Sequence, residues 1–443
     1  MLTISKNKVR KLMKNKGINT QKELANELNV SDSLISKMLS DDYDFVKSRF
    51  RELCNLLDVE VNEVLEKKID KEKKEEKKLK LFEDNNDEYV DINKVVSNRE
   101  YTDVELFAGA GGLALGLEKS GFKTLALIEN DQYAAETLIN NRPDWNVINK
   151  DVEEVMEKGI RNYLKKEHKG KKIDLLSGGY PCQAFSYAGK KLGLKDTRGT
   201  LFYYFAEALQ ELKPKLFLAE NVRGLKSHDG GRTLKTMIKV FEEEGYSVEY
   251  KVLNSWDFDV AQKRKRLFIV GIRNDLKEKY DLEYNFPKPL DTKLTLKDVI
   301  KDVPESEGTT YSENKKEVLA QVPPGGCWRN LPEDVAKEYM GKSYYSSGGR
   351  TGMARRLSWD EPSLTILTSP GQKQTERCHP EEVRPFTVRE SARIQSFDDE
   401  WEFKGTTTSK YKQIGNAVPV NLAKAVGLSL VEVLNEIDEK SRD

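Results

Sequence analysis

The sequence predicts an α/β protein with a doubly wound, mostly parallel sheet, a smaller loop-rich lobe, and a small all-α domain at its start. Three observations support this fold class. From Tyr101 to residue 279, short apolar runs alternate with helical patterns, which is typical of parallel strands covered by helices. Residues 280–405 break this alternation with frequent Pro, Gly, Ser and Thr. Residues 1–65 carry only the apolar spacing of short helices.

Length and composition exclude several classes of protein. The chain has 443 residues, of which 37% are hydrophobic and 33% are charged, so we expect a soluble protein of about two to three domains. Its 74 basic side chains balance 74 acidic ones, so the net charge does not indicate a nucleic-acid or membrane partner. No apolar run approaches the ~20 residues of a membrane span. Met1–Arg10 is charged where a signal peptide would be apolar.

The cysteines and histidines are too few and too scattered for a disulfide framework or a zinc site. The cysteines are Cys54, Cys182, Cys327 and Cys378, and the chain has three histidines. We therefore expect a reduced, cytoplasmic protein without a metal.

The first 65 residues predict a helical bundle that is basic at one end. Residues 1–40 contain eight Lys or Arg and three Asp or Glu, whereas residues 41–65 contain three and seven. Residues 66–100 begin with an almost wholly charged run, which cannot build a core by itself. We interpret residues 66–100 as a linker.

Residues 101–279 form the predicted sheet domain, and ligands of such folds bind at the carboxyl ends of the strands. The predicted strands are Val104–Phe107, Thr124–Ile128, Ile173–Leu176, Leu216–Ala219, Val248–Leu253 and Leu267–Ile272. After the lobe at 280–405, residues 406–443 contain one amphipathic helix, Asn421–Ile437, which should return to the sheet domain.

A glycine-rich turn follows the first of these strands. Leu106–Leu113 reads LFAGAGGL, and such glycines let a ligand approach the backbone at a helix N-terminus. Glu129 follows about 20 residues later, at the end of the next strand, where an acid suits ribose hydroxyls. Asp151 ends a further predicted strand and could instead cap a helix. The spacing G-x-G-x-x-G is absent, so a nucleoside such as S-adenosylmethionine fits better than a dinucleotide.

Three further strand ends carry reactive or charged groups. Cys182 lies on a tight turn after a strand, where a thiolate could act as a nucleophile, although a buried small side chain is the plainer interpretation. That plainer interpretation suits Cys54 better, and Cys327 and Cys378 are expected to be structural. Glu220 ends another strand. The basic run Gln262–Leu267 is either a solvated face or a binder of phosphate or of a flipped base.

Six motifs in this order resemble the DNA (cytosine-5)-methyltransferase family. They are F-x-G-x-G-G from Phe107, P-C-Q from Pro181, E-N-V from Glu220, Q-x-R-x-R from Gln262, R-x-x-x-R-I-Q from Arg389 and Q-I-G-N-A-V from Gln413. The resemblance covers about residues 101–437. Separately, residues 1–65 resemble the helix-turn-helix of phage-type repressors, with Thr20–Ala25 in the first helix and Ser31–Leu39 as the recognition helix.

The resemblance implies roles for individual residues. Cys182 would be the nucleophile, and Glu220 would hold the N3 edge of the cytosine with Arg264 and Arg266 beside it. Residues 280–405 would recognise the target, with Ser369–Pro380 facing DNA. The pocket for S-adenosylmethionine would be lined by Phe107, Gly109, Gly112, Leu113, Glu129, Asn130, Asp151, Leu201, Asn416 and Ala417. Some family members have serine in place of Ala417, which puts one cofactor hydrogen bond in doubt.

The family's activity is methylation of C5 of a flipped-out cytosine in a specific duplex DNA sequence, which protects DNA from a cognate restriction enzyme. We expect the catalytic part to act as a monomer on DNA. The N-terminal domain is expected to dimerise on an operator and to repress the enzyme's own synthesis, unless it is only a general DNA tether. Two alternatives remain for the whole chain, namely an RNA cytosine-5 methyltransferase and a repressor with an inactive enzyme body.

Overall fold

The computed structural model describes residues 2–4, 6–18, 20–28, 56–58, 65–67, 89–180, 201–345 and 351–442. The chain divides into two compact units, Met1–Asn85 and Asn86–Asp443.

Two helices and one short strand pair of the smaller unit lie wholly within the described residues. These are β1 (Leu2–Ile4), α1 (Lys6–Asn15), α2 (Gln21–Glu27) and β2 (Leu65–Lys67). The hydroxyl of Thr20 accepts a hydrogen bond from the Glu23 N–H at 3.1 Å and so caps α2. The predicted first helix of the helix-turn-helix, Thr20–Ala25, overlaps α2, while the predicted recognition helix Ser31–Leu39 lies outside the described residues.

The antiparallel pairing of β1 with β2 corrects the all-α prediction for this unit. Each strand has three residues. A segment that short cannot display an alternating pattern, so this strand pair could not be predicted from the sequence.

The larger unit is built on a seven-stranded sheet with the order β5-β4-β3-β6-β7-β10-β8. The first five strands in this order, β5, β4, β3, β6 and β7, are mutually parallel. Strand β10 runs antiparallel to both β7 and β8. The predicted mostly parallel sheet is confirmed. Its strands are β3 (Tyr101–Leu106), β4 (Phe122–Glu129), β5 (Val147–Asn149), β6 (Leu175–Gly178), β7 (Leu216–Val222), β8 (Tyr246–Asn254) and β10 (Lys265–Arg273). Two short strands, β9 (Gln262–Lys263) and β11 (Ser363–Leu364), form a separate parallel pair.

Twelve helices accompany the strands in the described part of this unit. They are α3 (Gly112–Glu118), α4 (Gln132–Asn141), α5 (Val152–Lys158), α6 (Leu201–Leu212), α7 (Arg232–Glu243), α8 (Asn274–Tyr280), α9 (Leu296–Ile300), α10 (Glu313–Ala320), α11 (Glu333–Met340), α12 (Val388–Ile394), α13 (Thr407–Asn416) and α14 (Val420–Lys440).

Apolar side chains cover both faces of the sheet. Along β7, Phe217 and Ala219 join the cluster formed by α5, α6 and α7, whereas Leu216 and Leu218 join the cluster formed with α14. Burial on both faces explains the continuous apolar run of this strand.

Helix α14 packs closely against α3. A Cβ at Gly116 of α3 would lie 2.4 Å from the Ala423 Cβ and 2.6 Å from the Val420 carbonyl oxygen, so glycine is required for this approach. The helical stretch Thr407–Lys440 contains a window long and apolar enough to cross a membrane, but 72% of that window is buried within the protein. That degree of burial is typical of a core helix.

The predicted linker 66–100 is wrong from Tyr89 onward. The Val90 N–H donates to the Phe286 carbonyl at 3.1 Å, and the Arg99 guanidinium lies 2.9 Å from an Asp174 carboxylate oxygen and 2.6 Å from one of Asp438. Val90 and Arg99 are held by partners far away in the chain, which composition alone does not reveal.

The region 280–405 is divided between several cores. Tyr284 and Phe286 pack with α14, while α9 and α12 share a cluster with α3 and α4. Among the described residues of this region, the middle part, which includes α10, α11 and Cys378, forms a small core of its own.

Candidate active site

A cavity of about 730 Å³ lies at the carboxyl ends of β3, β4 and β7. Its floor is the turn between β3 and α3, where Phe107, Gly109 and Gly111 have φ values of 60°, 55° and 84°. Left-handed backbone at a residue other than glycine is uncommon and is found at functional sites. The described residues that line the cavity include Glu105, Phe107, Gly109, Gly112, Leu113, Glu129, Asn130, Asp131, Gly179, Tyr180, Glu220, Asn221, Val222, Arg266, Asn416 and Ala417.

Glu129 ties the end of β4 to this turn. One of its carboxylate oxygens accepts the Gly109 N–H and the other accepts the Asp131 N–H, both at 2.7 Å. Burial raises the pKa of Glu129, and the backbone donors partly oppose this shift. The carboxylate retains lone pairs that could accept hydroxyl groups of a ligand.

The opposite wall comes from the end of the chain. Asn416 and Ala417 connect α13 to α14 and line the cavity together with Val418. A Cβ at Gly112 would lie 2.3 Å from the Val418 carbonyl oxygen. The absence of a side chain at Gly112 therefore allows the two walls to meet.

Two predicted cofactor residues do not belong to this cavity. Asp151 and Leu201 are absent from its lining among the described residues. Asp151 is exposed and accepts the Glu153 N–H at 2.9 Å, so it caps α5. That is the helix-cap role that the sequence had left open.

Glu220 and Arg266 form an ion pair within the cavity. The Arg266 Nε lies 2.9 Å from a Glu220 carboxylate oxygen, and the two side chains are 13% and 11% exposed. Burial raises the pKa of Glu220, while the charges of Arg266 and Arg264 oppose the shift. A carboxyl group with a raised pKa can hold a proton near neutral pH and donate it to a bound base.

The two described residues that precede the Pro181–Cys182 turn, Gly179 and Tyr180, belong to the same cavity. The Asn221 side chain donates to the Tyr180 carbonyl at 2.8 Å. Cys182 itself lies outside the described residues, so its proposed role rests on the sequence.

The model of the C-5 cytosine-specific DNA methylase family matches residues 101–432. The chain belongs to this family. It is 52% identical over 443 residues to the type II methyltransferase M.Sau96I of Staphylococcus aureus, which covers 99% of this chain and 100% of the relative. It is 57% identical over 353 residues to M.Eco47II of Escherichia coli, covering 78% of this chain and 82% of that one.

The fold is also that of a solved structure, an Escherichia coli protein described as a prophage-encoded DNA modification methyltransferase. It superimposes with a TM-score of 0.55 at 24% identity and covers 76% of this chain and 100% of its own. The protein is thus a DNA (cytosine-5)-methyltransferase, and its family and fold imply S-adenosylmethionine as the methyl donor. The cavity fits this cofactor, because its volume is within the range of about 300–1,000 Å³ of small-molecule sites and Gly112 leaves its backbone open to a ligand.

Unlike Arg266, Arg264 does not line the active-site cavity among the described residues. It is 1% exposed, and its guanidinium donates to the carbonyls of Ile366 at 3.2 Å and Gly415 at 2.8 Å. Although its charge acts on Glu220, Arg264 is absent from the described lining of the cavity. We describe it as a positioning residue and not as a residue that touches the base.

Sequence reasoning missed a pair of buried glutamines that supports Arg264. The Gln262 side chain donates to the Gln395 side chain at 2.8 Å and accepts the Ile366 N–H at 2.9 Å. The Gln395 side chain donates to the Ile414 carbonyl at 2.7 Å. The sequence could have indicated the two glutamines, because Gln262 belongs to the Q-x-R-x-R motif and Gln395 to the R-x-x-x-R-I-Q motif.

Two buried acids on β3 were missed as well. Glu105 lines the cavity and is 1% exposed, and one of its carboxylate oxygens has no hydrogen-bond partner in the described part of the structure. Burial raises the pKa of Glu105, and it raises that of Asp103 to about 8 despite a hydrogen bond from Ser177. The sequence could have indicated them, because both are acidic residues within a predominantly buried strand.

Replacing Gly112 by valine is expected to weaken binding of S-adenosylmethionine by at least tenfold and to affect DNA binding less. The new Cβ would overlap the Val418 carbonyl oxygen and force apart the walls that carry Phe107 and Asn416. Calorimetry with the folded variant measures this. Gly224→Val is a matched control, because a Cβ there meets nothing within 4 Å. Unchanged cofactor affinity in Gly112→Val would contradict the assigned pocket.

Proposed function

We propose that this protein is the modification enzyme of a type II restriction-modification system, acting in the cytoplasm on cellular DNA. It would methylate C5 of one cytosine in a specific duplex sequence and so protect that sequence from a cognate restriction enzyme. The similarity to M.Sau96I along the full chain supports the biological role. The observation that carries the chemistry is the buried Glu220–Arg266 pair in the same cavity as the glycine turn.

The proposed reaction begins when a cytosine leaves the base stack and enters the cavity, because its C5 and C6 are inaccessible within a duplex. The Cys182 thiolate adds to C6, and the electron pair moves through the ring while Glu220 shares its proton with N3. Arg266 holds the Glu220 carboxyl group in place. When bound, S-adenosylmethionine would supply an electrophilic methyl group to the electron-rich C5, leaving S-adenosylhomocysteine. A solvent water molecule or hydroxide ion then takes the C5 proton. The electron pair of that C–H bond reforms the C5–C6 double bond as the C6–S bond breaks, which releases the Cys182 thiolate, and the N3 proton returns to Glu220.

The residues proposed to hold S-adenosylmethionine surround the glycine turn. They are Phe107, Gly109, Gly112, Leu113, Glu129, Asn130, Asn416 and Ala417, and the structure adds Glu105 and Asp131 to the candidates. Glu129 is proposed to accept the ribose hydroxyls. Asp151 and Leu201 remain proposals from family resemblance alone.

Bisulfite sequencing of plasmid DNA from cells that express the protein tests this function. We expect one cytosine in a defined sequence context to be protected from conversion, and digestion by a restriction enzyme of that specificity to be blocked. Methylation of tRNA in place of duplex DNA would favour the RNA enzyme. Absence of turnover on either substrate would favour a repressor with an inactive enzyme body.

We also propose that the N-terminal unit binds an operator and represses the enzyme's own synthesis. The capped helix α2 and the basic character of residues 1–40 support this proposal. Ser31–Leu39 would enter the major groove, and a two-fold operator would bind two copies. The second candidate role, a general DNA tether, would need no defined site.

Deleting residues 1–85 is expected to leave the methylated sequence unchanged and to derepress a promoter reporter several-fold. The reason is that the larger unit contains the whole described cavity. Footprinting of the upstream region with the full chain, compared with its Lys37→Glu variant, measures operator binding. If the full chain protects no site and the deletion leaves the reporter unchanged, the unit is a non-specific tether.

A further inference from the structure

A second cavity, of about 500 Å³, lies at the same edge of the sheet as the active site. Four basic side chains line it, from Arg223, Lys226, Lys251 and Lys265. The end of β8 and the start of β10 meet here, since Asn254 pairs with Lys265. We call this site the basic cavity.

Three of the four cations of the basic cavity, Arg223, Lys251 and Lys265, have no carboxylate partner in the part of the chain that the structure describes. Asp257 is the one carboxylate among its described lining residues, and it is already paired with the Lys293 ammonium at 2.7 Å. Lys251 instead lies 2.9 Å from the Tyr89 hydroxyl and 4.2 Å from the centre of its ring. Within the described residues, Arg223, Lys251 and Lys265 form no ion pair. An anionic group is therefore the expected occupant.

Chain neighbours connect the basic cavity to the active site. Val222 and Arg266 line the active-site cavity, while Arg223 and Lys265, next to them in the sequence, line the basic cavity. Consecutive Cα atoms are about 3.8 Å apart, and successive side chains of a strand project to opposite sides. Lys265 and Arg266 both belong to β10, so the two cavities lie on opposite sides of the start of this strand, and Val222 and Arg223 connect them just after β7.

We propose that the basic cavity binds phosphate groups of the DNA strand that carries the flipped cytosine. A flipped nucleotide stays attached to its neighbours by phosphodiester bonds, so phosphates must lie beside the mouth of the active site. A site with several cations and one paired carboxylate neutralises them without reading a base. This inference rests on the proposed base-flipping function, but it concerns a separate set of residues.

The test is the salt dependence of DNA binding by the full chain with Arg223→Gln, Lys251→Gln and Lys265→Gln combined. Fluorescence anisotropy with a duplex of about 30 base pairs gives the association constant at several KCl concentrations. Each lost phosphate contact should reduce the slope of log K against log salt by about 0.9. We expect a slope shallower by roughly one to three, equally on duplexes with and without the methylation sequence.

Lys279→Gln is the matched control. Its ammonium also lies 2.9 Å from a tyrosine hydroxyl, that of Tyr280, and 4.7 Å from the ring centre. However, it belongs to α8, which follows the far end of β10. We expect this variant to keep the wild-type slope.

Several outcomes would overturn the proposal. A wild-type slope in the triple variant, or an equal loss in Lys279→Gln, would do so. Titration of inorganic phosphate by calorimetry forms a second arm. Phosphate binding that disappears in the triple variant while the DNA slope is unchanged would assign the cavity to a small phosphate ligand instead. If the triple variant does not fold, as judged by circular dichroism, Lys265→Gln alone carries the test.

The assay also separates this inference from the proposed function. If the wild type methylates DNA and the slopes do not differ, only the basic cavity assignment fails. If the wild type has no methyltransferase activity, the proposed function fails whatever the slopes show.

Discussion

Replacing Cys182 by serine is expected to abolish methyl transfer while binding of S-adenosylmethionine and DNA is largely retained. A free cysteine thiol has a pKa of about 8.5 and ionises readily beside cationic groups, whereas a serine hydroxyl is not ionised near neutral pH. Without a thiolate to add at C6, C5 of cytosine remains too electron-poor to accept the methyl group. Single-turnover assays with radiolabelled methyl donor measure the loss.

Trapping provides a second measurement for the same residue. DNA with 5-fluorocytosine at the target should form a covalent adduct with the wild type, since fluorine cannot leave C5 as a proton does. The adduct should be absent in Cys182→Ser. Cys327→Ser is the control, because Cys327 is buried outside the active-site lining. Cys378 is also no competitor, because burial raises the pKa of its thiol to about 11. Turnover by Cys182→Ser at the wild-type rate would refute the nucleophile.

Replacing Glu220 by glutamine is expected to slow the chemical step by about 10²–10⁴-fold, the usual contribution of general acid–base catalysis. Glutamine preserves the shape and the contact with Arg266 but cannot transfer a proton to N3. Affinity for S-adenosylmethionine should change by less than about threefold, since Glu129 and not Glu220 contacts the glycine turn. A single-turnover rate equal to that of the wild type would leave Glu220 with a structural role only.

The pH profile tests the same role with a defined sign. If protonated Glu220 is the catalytic form, the wild-type rate should fall as pH rises through its pKa, which burial raises. The positive charge of Arg266 lowers that pKa. In Arg266→Gln, the residual activity should therefore decline at a higher pH than in the wild type. In Glu220→Gln, this decline should be absent.

The sheet and the glycine turn could be predicted from the sequence, because each requires particular residue types at neighbouring positions. A strand buried on both faces needs a continuous apolar run, as in Leu216–Ala219, and Glu220 stands out immediately after it. A turn that approaches a ligand needs glycine where φ is positive, as at Gly109 and Gly111. Both features are local, so a single sequence reveals them.

The roles within the basic run could not be predicted, because they depend on which way each side chain points. Along Gln262–Arg266, Gln262 and Arg264 turn inward to distant carbonyl and amide groups, while Lys263 and Lys265 face solvent. Arg266 alone reaches Glu220. Alternation of this kind follows from the strand geometry, but its phase is set by Ile366, Gln395 and Gly415, more than a hundred residues later.

The boundary of the linker failed for a related reason. Residues 89–100 follow directly after the charged run, and their charged residues were read as part of it. Here Arg99 joins Asp174 to Asp438, two carboxylates that become neighbours only after the sheet and α14 have formed.

The contact between Gly112 and Val418 bears on when the enzyme becomes active during its synthesis. The two residues are about 300 positions apart, so at the ~5–20 residues per second of a ribosome the second wall emerges roughly 15–60 s after the first. Until then α3, most of whose residues are buried in the finished protein, has no partner for the face that α14 covers. We therefore expect a chain that stops before α14 to expose this apolar face and to lack a stable second wall for the cavity. We expect newly made molecules to gain activity only after that wall has folded, later than the onset of translation.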